Sequence, residues 1–245
     1  MPIKKNHPLI MRWADELPSR SIRATSRHRS PAWFDAHAND HSGRQQNEPF
    51  DFGAAITHLV DDIALRMDDF RHVQTAKVLV SVVQARLGSQ HGLQARVTPL
   101  RFAGGTLTRQ RRGVPYRIQR YFRGEQEFLY VLTFCLPRYL DLDFDHKMVT
   151  LFHELYHIGP AFDGDLRRHH GRCQFHTHSQ RKYDERMVQY AREYLAGRPD
   201  ANLHAFLRLN FAQLQERHGS VIGVVVPRPK IIPLIGPYAL AAAQS

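Results

Sequence analysis

Thr150-Leu151-Phe152-His153-Glu154-Leu155-Tyr156-His157-Ile158 is the stretch on which the reading of this chain turns. Residues four apart lie on one face of a helix, so His153 and His157 can address one ion. Neutral imidazole suits zinc. Glu154, between them, is placed to take a proton from the metal's water and hand it to a leaving amine. The surroundings fit a helix. Asp145 is a capping type near its start. Val149, Leu151, Phe152 and Leu155 can pack it, and Gly159-Pro160 stops it.

Zinc hydrolases use three protein ligands and leave one position open. After His157 the candidates for a third ligand are His169, His170, Cys173, His176, His178 and Glu185. Asp163 and Asp165 either shape the intervening loop or orient a ligand from behind.

Upstream, Ala54, Ile56, Leu59, Val60, Ile63 and Met67 recur at helical spacing, predicting an amphipathic helix over about 54–69. Strand-like segments follow at Lys77–Val83, Leu93–Phe102, Tyr116–Phe122 and Glu127–Leu136. Beyond the HExxH helix, Tyr183–Leu195 and Leu203–Arg217 read as helices, and Val221–Pro237 reads as extended and proline-punctuated. The expected fold class is α+β: a helix, a small antiparallel sheet, the HExxH helix and one or two C-terminal helices. Residues 1–50 read as a flexible arm rich in basic residues and histidine, 51–237 as the domain, and 238–245 as a tail. Pro31-Ala32-Trp33-Phe34 is either a docking spot or a strip packed on the domain.

The chain has 245 residues, 34 Lys and Arg, 23 Asp and Glu, and a formal net charge of +11. From Phe70 to Gly124 there is no acid at all, against 11 cations. Without those 11 the chain is balanced, so the whole excess lies in one stretch. It attracts phosphates or acidic protein. Arginines interleaved with Tyr116, Tyr121 and Phe122 suit nucleic acid. An acidic protein partner, or a soluble sheet face kept from aggregating, is the favoured account of them. With 42% hydrophobic residues, wholesale disorder is excluded. No apolar run approaches the ~18 residues of a membrane helix. Two cysteines, Cys135 and Cys173, exclude a disulfide framework and point to a reducing cytoplasm.

Leu136-Pro137-Arg138-Tyr139-Leu140, the run Thr150–Ile158, and Pro160-Ala161-Phe162-Asp163-Gly164-Asp165-Leu166-Arg167-Arg168 together resemble the phage metallopeptidase family, within the HExxH zincins. More distantly, the element order resembles SprT-like and minimal gluzincin domains, some of which act on protein bound to DNA. The resemblance implies a zincin-like fold and a zinc metallopeptidase with Glu154 as general base and acid. It also implies a histidine shortly before a Ser-x-x-x-Tyr phrase. Here the phrase is Ser179-Gln180-Arg181-Lys182-Tyr183, which makes His176 the third ligand beside His153 and His157. The expected partner is a protein or peptide substrate, with acidic substrates favoured. Nucleic acid could bind through residues 70–124, and no membrane is involved. The rival is a nucleic-acid-binding protein with a structural zinc site, closed by Cys173 or His178.

Overall fold

The computed structural model describes residues 9–14, 32–34, 49–85, 92–168 and 180–235. Strands β1 (Leu9–Ala14), β2 (Ala32–Phe34) and β3 (Phe50–Asp51) come first, then helix α1 (Phe52–Arg66). Strands β4 (Val78–Gln84), β5 (Ala95–Pro99), β6 (Thr108–Arg111), β7 (Val114–Ile118), β8 (Tyr121–Arg123), β9 (Gln126–Phe128) and β10 (Tyr130–Leu136) follow. The chain continues through α2 (Phe144–Tyr156), α3 (Gln180–Ala196), α4 (Ala201–His204), α5 (Phe211–His218), β11 (Ser220–Val225) and β12 (Ile231–Pro233). The fold is mixed α+β. Among the described residues no helix is long and apolar enough to cross a membrane.

Strand β10 is the centre. All seven of its residues are buried, and it runs parallel to β4 and antiparallel to β5. A strand covered on both faces needs no polar alternation, which is why its sequence reads as a nearly unbroken apolar run. Leu132 and Phe134 point into the large core beside Ile56 and Leu59 of α1 and Leu151 and Leu155 of α2. Val131 points the other way, into a small cluster with Leu79, Leu100, Phe128 and Val226. The expected small antiparallel sheet is therefore mixed around β10. Strand β5 is one of its two edges, and among the described residues no further strand pairs with it.

Helix α1 starts two residues earlier than its periodicity suggests, because Asp51 accepts the Ala54 N–H at 2.9 Å as its cap. The predicted strand Tyr116–Phe122 is two strands, broken where Arg120 turns away to Glu127, 2.6 Å distant. The segment Glu127–Leu136 likewise divides into β9 and β10. The predicted helix Leu203–Arg217 is α4, a 3-10 turn over Ala205–Arg208, and α5. Asn210 resets the chain there with a capping box, in which its side chain and that of Gln213 each accept the other's backbone N–H. Strands β1 and β2 lie within the segment read as an arm. β1 pairs with both β2 and β11.

Candidate metal centre

Helix α2 opens at Phe144, not at the cap expected from Asp145. Asp143 is the cap, accepting the His146 N–H at 2.8 Å, and Asp145 already sits in the first turn. Met148, Leu151, Phe152 and Leu155 are wholly buried on the core side. That fixes the rotation of the helix and leaves His153 and His157 half-buried together at its C-terminal end. His157 is the first residue past the helix, and its N–H still reaches His153 O at 3.3 Å.

The two imidazoles face each other. Their Nε2 atoms are 3.0 Å apart, and the rings meet at 77°. Two nitrogens bound tetrahedrally to zinc at ~2.05 Å would stand about 3.3 Å apart, so the donor pair fits one ion after a small opening. The same separation suits a single N–H···N hydrogen bond, with one ring the Nε2–H tautomer. A metal would replace that shared proton.

Glu154 is buried, 8% exposed. Its Oε2 accepts the Val97 N–H at 2.7 Å. This bond is available because of the strand register. Cys135 N–H donates to Gln94 O and Leu100 N–H to Leu129 O, so Gln94, Arg96, Thr98 and Leu100 turn their backbone toward β10. Ala95, Val97 and Pro99 face outward along the open edge. Burial pushes the Glu154 pKa up to about 7, against the Val97 N–H and the Arg96 charge, which both pull it down.

Tyr183, on α3, walls the pair. Its ring centroid lies 5.0 Å from that of His153 and 6.0 Å from that of His157. Burial pushes its phenol far up, and neighbouring Glu154 adds to the effect, so it stays protonated.

The other wall is the loop after α2. It folds back on the helix end through Arg167 N–H to His157 O at 2.7 Å and an Ile158–Leu166 bridge. Arg167 stacks its guanidinium 4.2 Å above the Tyr156 ring. Asp165 ties this loop to the exit of β5, accepting the Gly104 N–H and the Arg168 Nε, each at 2.9 Å. Gly164 has φ +90, and a Cβ there would stand 2.5 Å from Arg101 Cγ. Only glycine fits this crossing. Asp165 thus shapes the loop, and Asp163 joins it by accepting the Asp165 N–H at 3.0 Å; the histidines that either could orient lie outside the described residues.

His153, Glu154 and His157 are brought together. Glu185 is exposed on α3 and does not complete a three-residue metal group with them. Among the described residues no such group forms. His169, His170, Cys173, His176 and His178 lie outside the described residues. Sequence reading missed the Val97 N–H and the nearby Arg96. It used Tyr183 only as a landmark, although an aromatic hydroxyl next to the proposed ligands was a signal in plain view. No family model, curated protein or solved structure matches the chain.

Proposed function

We propose that the chain is a zinc-dependent peptide hydrolase of the HExxH type with a zincin-like site. One observation carries this reading: two Nε2 atoms converge to 3.0 Å, and the residue between them is a buried carboxylate bonded to the open edge of a sheet. His153 and His157 would hold the ion, and His176 is the proposed third ligand. Zinc, when bound, supplies a Lewis acid for the scissile carbonyl and a more acidic water.

The chain's own groups account for the rest. Glu154 Oε2 is engaged by Val97, which fixes the carboxylate plane and leaves Oε1 as the atom that takes a proton from the attacking water. The same oxygen returns that proton to the amide nitrogen as the C–N bond breaks. Tyr183 is the candidate donor to the developing oxyanion, because it stays neutral and lies against both imidazoles. The outward backbone of Ala95 and the C=O of Val97 are placed to pair with an extended peptide across the site, while the Val97 N–H stays with Glu154.

The nucleic-acid rival draws on the cations of residues 70–124. Arg101 and Arg120 are spent on Glu127, at 2.7 and 2.6 Å. Arg71 pairs with Asp68. The test is elemental analysis with cleavage of fluorescein-labelled casein. Wild type should carry about one zinc per chain and cleave. Glu154→Gln should carry the zinc and not cleave. Cleavage by Glu154→Gln at the wild-type rate, or a folded chain indifferent to zinc, overturns the reading.

A further inference from the structure

The sheet β12-β7-β6 is separate from the central sheet, and among the described residues no further strand pairs with its β6 edge. Arg112 and Gly113 form its tight turn, with φ of 51° and 77°. A two-residue turn of this kind makes Arg111 and Val114 a hydrogen-bonded pair. Arg109 and Tyr116, two steps on, are the next such pair. Leu234 N–H donates to Pro115 O and Gln119 N–H to Lys230 O, so the intervening residues of β7 serve β12, in agreement with that phase. Thr108 and Gln110 therefore turn their backbone N–H and C=O outward from the sheet. All four residues of β6 are exposed.

The face shared by Arg109 and Arg111 also holds Tyr116, Ile118 and Ile231 by the observed register, with Ile118 packed against the small cluster of Leu79, Leu100, Phe128 and Val226. Leu107 lies one step further along the same row. Leu107, Ile231 and Ile235 are 47%, 61% and 54% exposed. Among the described residues no acid pairs with Arg109, Arg111 or Arg112. The available surface is thus the exposed Leu107, Ile231 and Ile235 beside Arg109 and Arg111, with the β6 edge alongside.

We propose that β6 and this face dock an acidic, extended segment of another protein, added as a strand beside Thr108–Arg111. Its backbone would pair with Thr108 and Gln110, and its acids would lie against Arg109 and Arg111. A second copy is a poor occupant, because its β6 would set arginine against arginine. Single-stranded nucleic acid is also poorly matched, since the face offers Tyr116 for stacking among aliphatic side chains.

The test uses the full chain carrying Glu154→Gln, so the outcome does not depend on the hydrolase reading. The probe is a fluorescein-labelled peptide of about ten residues alternating Val and Glu. A Val–Lys peptide of equal length and an oligothymidylate are the comparisons, and anisotropy is read at about 50 and about 300 mM salt. The Val–Glu peptide should bind at least about tenfold more tightly than Val–Lys and weaken with salt. Adding Arg109→Glu with Arg111→Glu should cost at least about tenfold. Gln110→Pro should also weaken binding while the thermal midpoint holds, because it removes an outward N–H and spares the hairpin's own ladder. No affinity at low salt, equal affinity for the two peptides, or indifference to the arginine reversals overturns the proposal. Tighter binding of the oligothymidylate, lost on the same reversals, would make this a nucleic-acid surface instead.

Discussion

The carboxylate of Glu154 accepts the backbone N–H of Val97 at 2.7 Å, across 57 residues of sequence. The bond joins the HExxH helix to the open edge of the central sheet. Glutamine keeps a carbonyl oxygen for Val97 and loses the capacity to take a proton. Glu154→Gln should therefore retain zinc and thermal stability while casein cleavage falls by roughly 10²–10⁴-fold. Parallel zinc analysis, melting and cleavage assays check all three. Loss of zinc on this substitution would mean that the carboxylate supports the metal rather than the chemistry.

Zinc should stabilise the folded chain through the histidine pair. At free zinc about 100 times its dissociation constant, the wild type should gain about 2.7 kcal/mol. His153→Ala with His157→Ala should gain nothing, and chelation should return the wild type to its metal-free midpoint. Thermal melts with buffered zinc measure this. An equal zinc shift in the double variant would place the binding elsewhere.

Acid should unlock the β9 region. Burial alone would push the Glu127 pKa up, but hydrogen bonds from Arg120 and Arg101, and their charges, hold it at about 2. A carboxyl depressed on folding stabilises the native state above its unfolded pKa and loses that contribution as pH falls through the folded one. The loss therefore spans roughly pH 5 down to pH 2. Glu127→Gln should cost about 2 kcal/mol at neutral pH and much less near pH 2. Urea titrations of both proteins across that range test it. A gap independent of pH would mean that packing, not charge, is lost.

Alkali should act oppositely at Lys147. This lysine is 2% exposed and donates to Leu207 O at 2.9 Å and Leu209 O at 2.8 Å, binding α2 to the turn after α4. Burial pulls its pKa down to about 8, against the pull of Asp141 and Asp143. Between that value and its ordinary 10.5, the unfolded chain holds more protons than the folded one, so stability attributable to Lys147 rises with pH there. Lys147→Met should remove this rise, read as urea midpoints from about pH 7.5 to about pH 10.5. An unchanged slope in the variant assigns the effect to other groups.

What the sequence disclosed was local. His153 and His157 were legible because helical spacing alone sets them side by side, and the apolar residues of α2 gave its rotation. The cap was misplaced from Asp143 to Asp145 because either aspartate can cap. Only the extended backbone at Asp143 settles the choice. The break at Asn210 was readable in principle, since Asn-x-x-Gln is a capping-box pattern, but an uninterrupted apolar rhythm outweighed it. Glu154 with Val97, and Glu127 with Arg101, are products of sheet register and were not visible in any window of the chain. Strand β1 likewise owes its place to pairing with β11, far away in sequence.

The crossing of Gly164 beneath Arg101, and the hold of Asp165 on Gly104, fasten the short segment that leaves β5 and becomes β6. Strands β5 and β6, each an edge of its sheet among the described residues, are thus consecutive along one anchored thread. A chain caught on β6 would be tethered to the molecule that carries the histidine pair, and its free remainder would meet the cleft as an intramolecular neighbour, at an effective concentration of order millimolar. Weak contacts at the cleft itself would then suffice, and selectivity would reside in the leash.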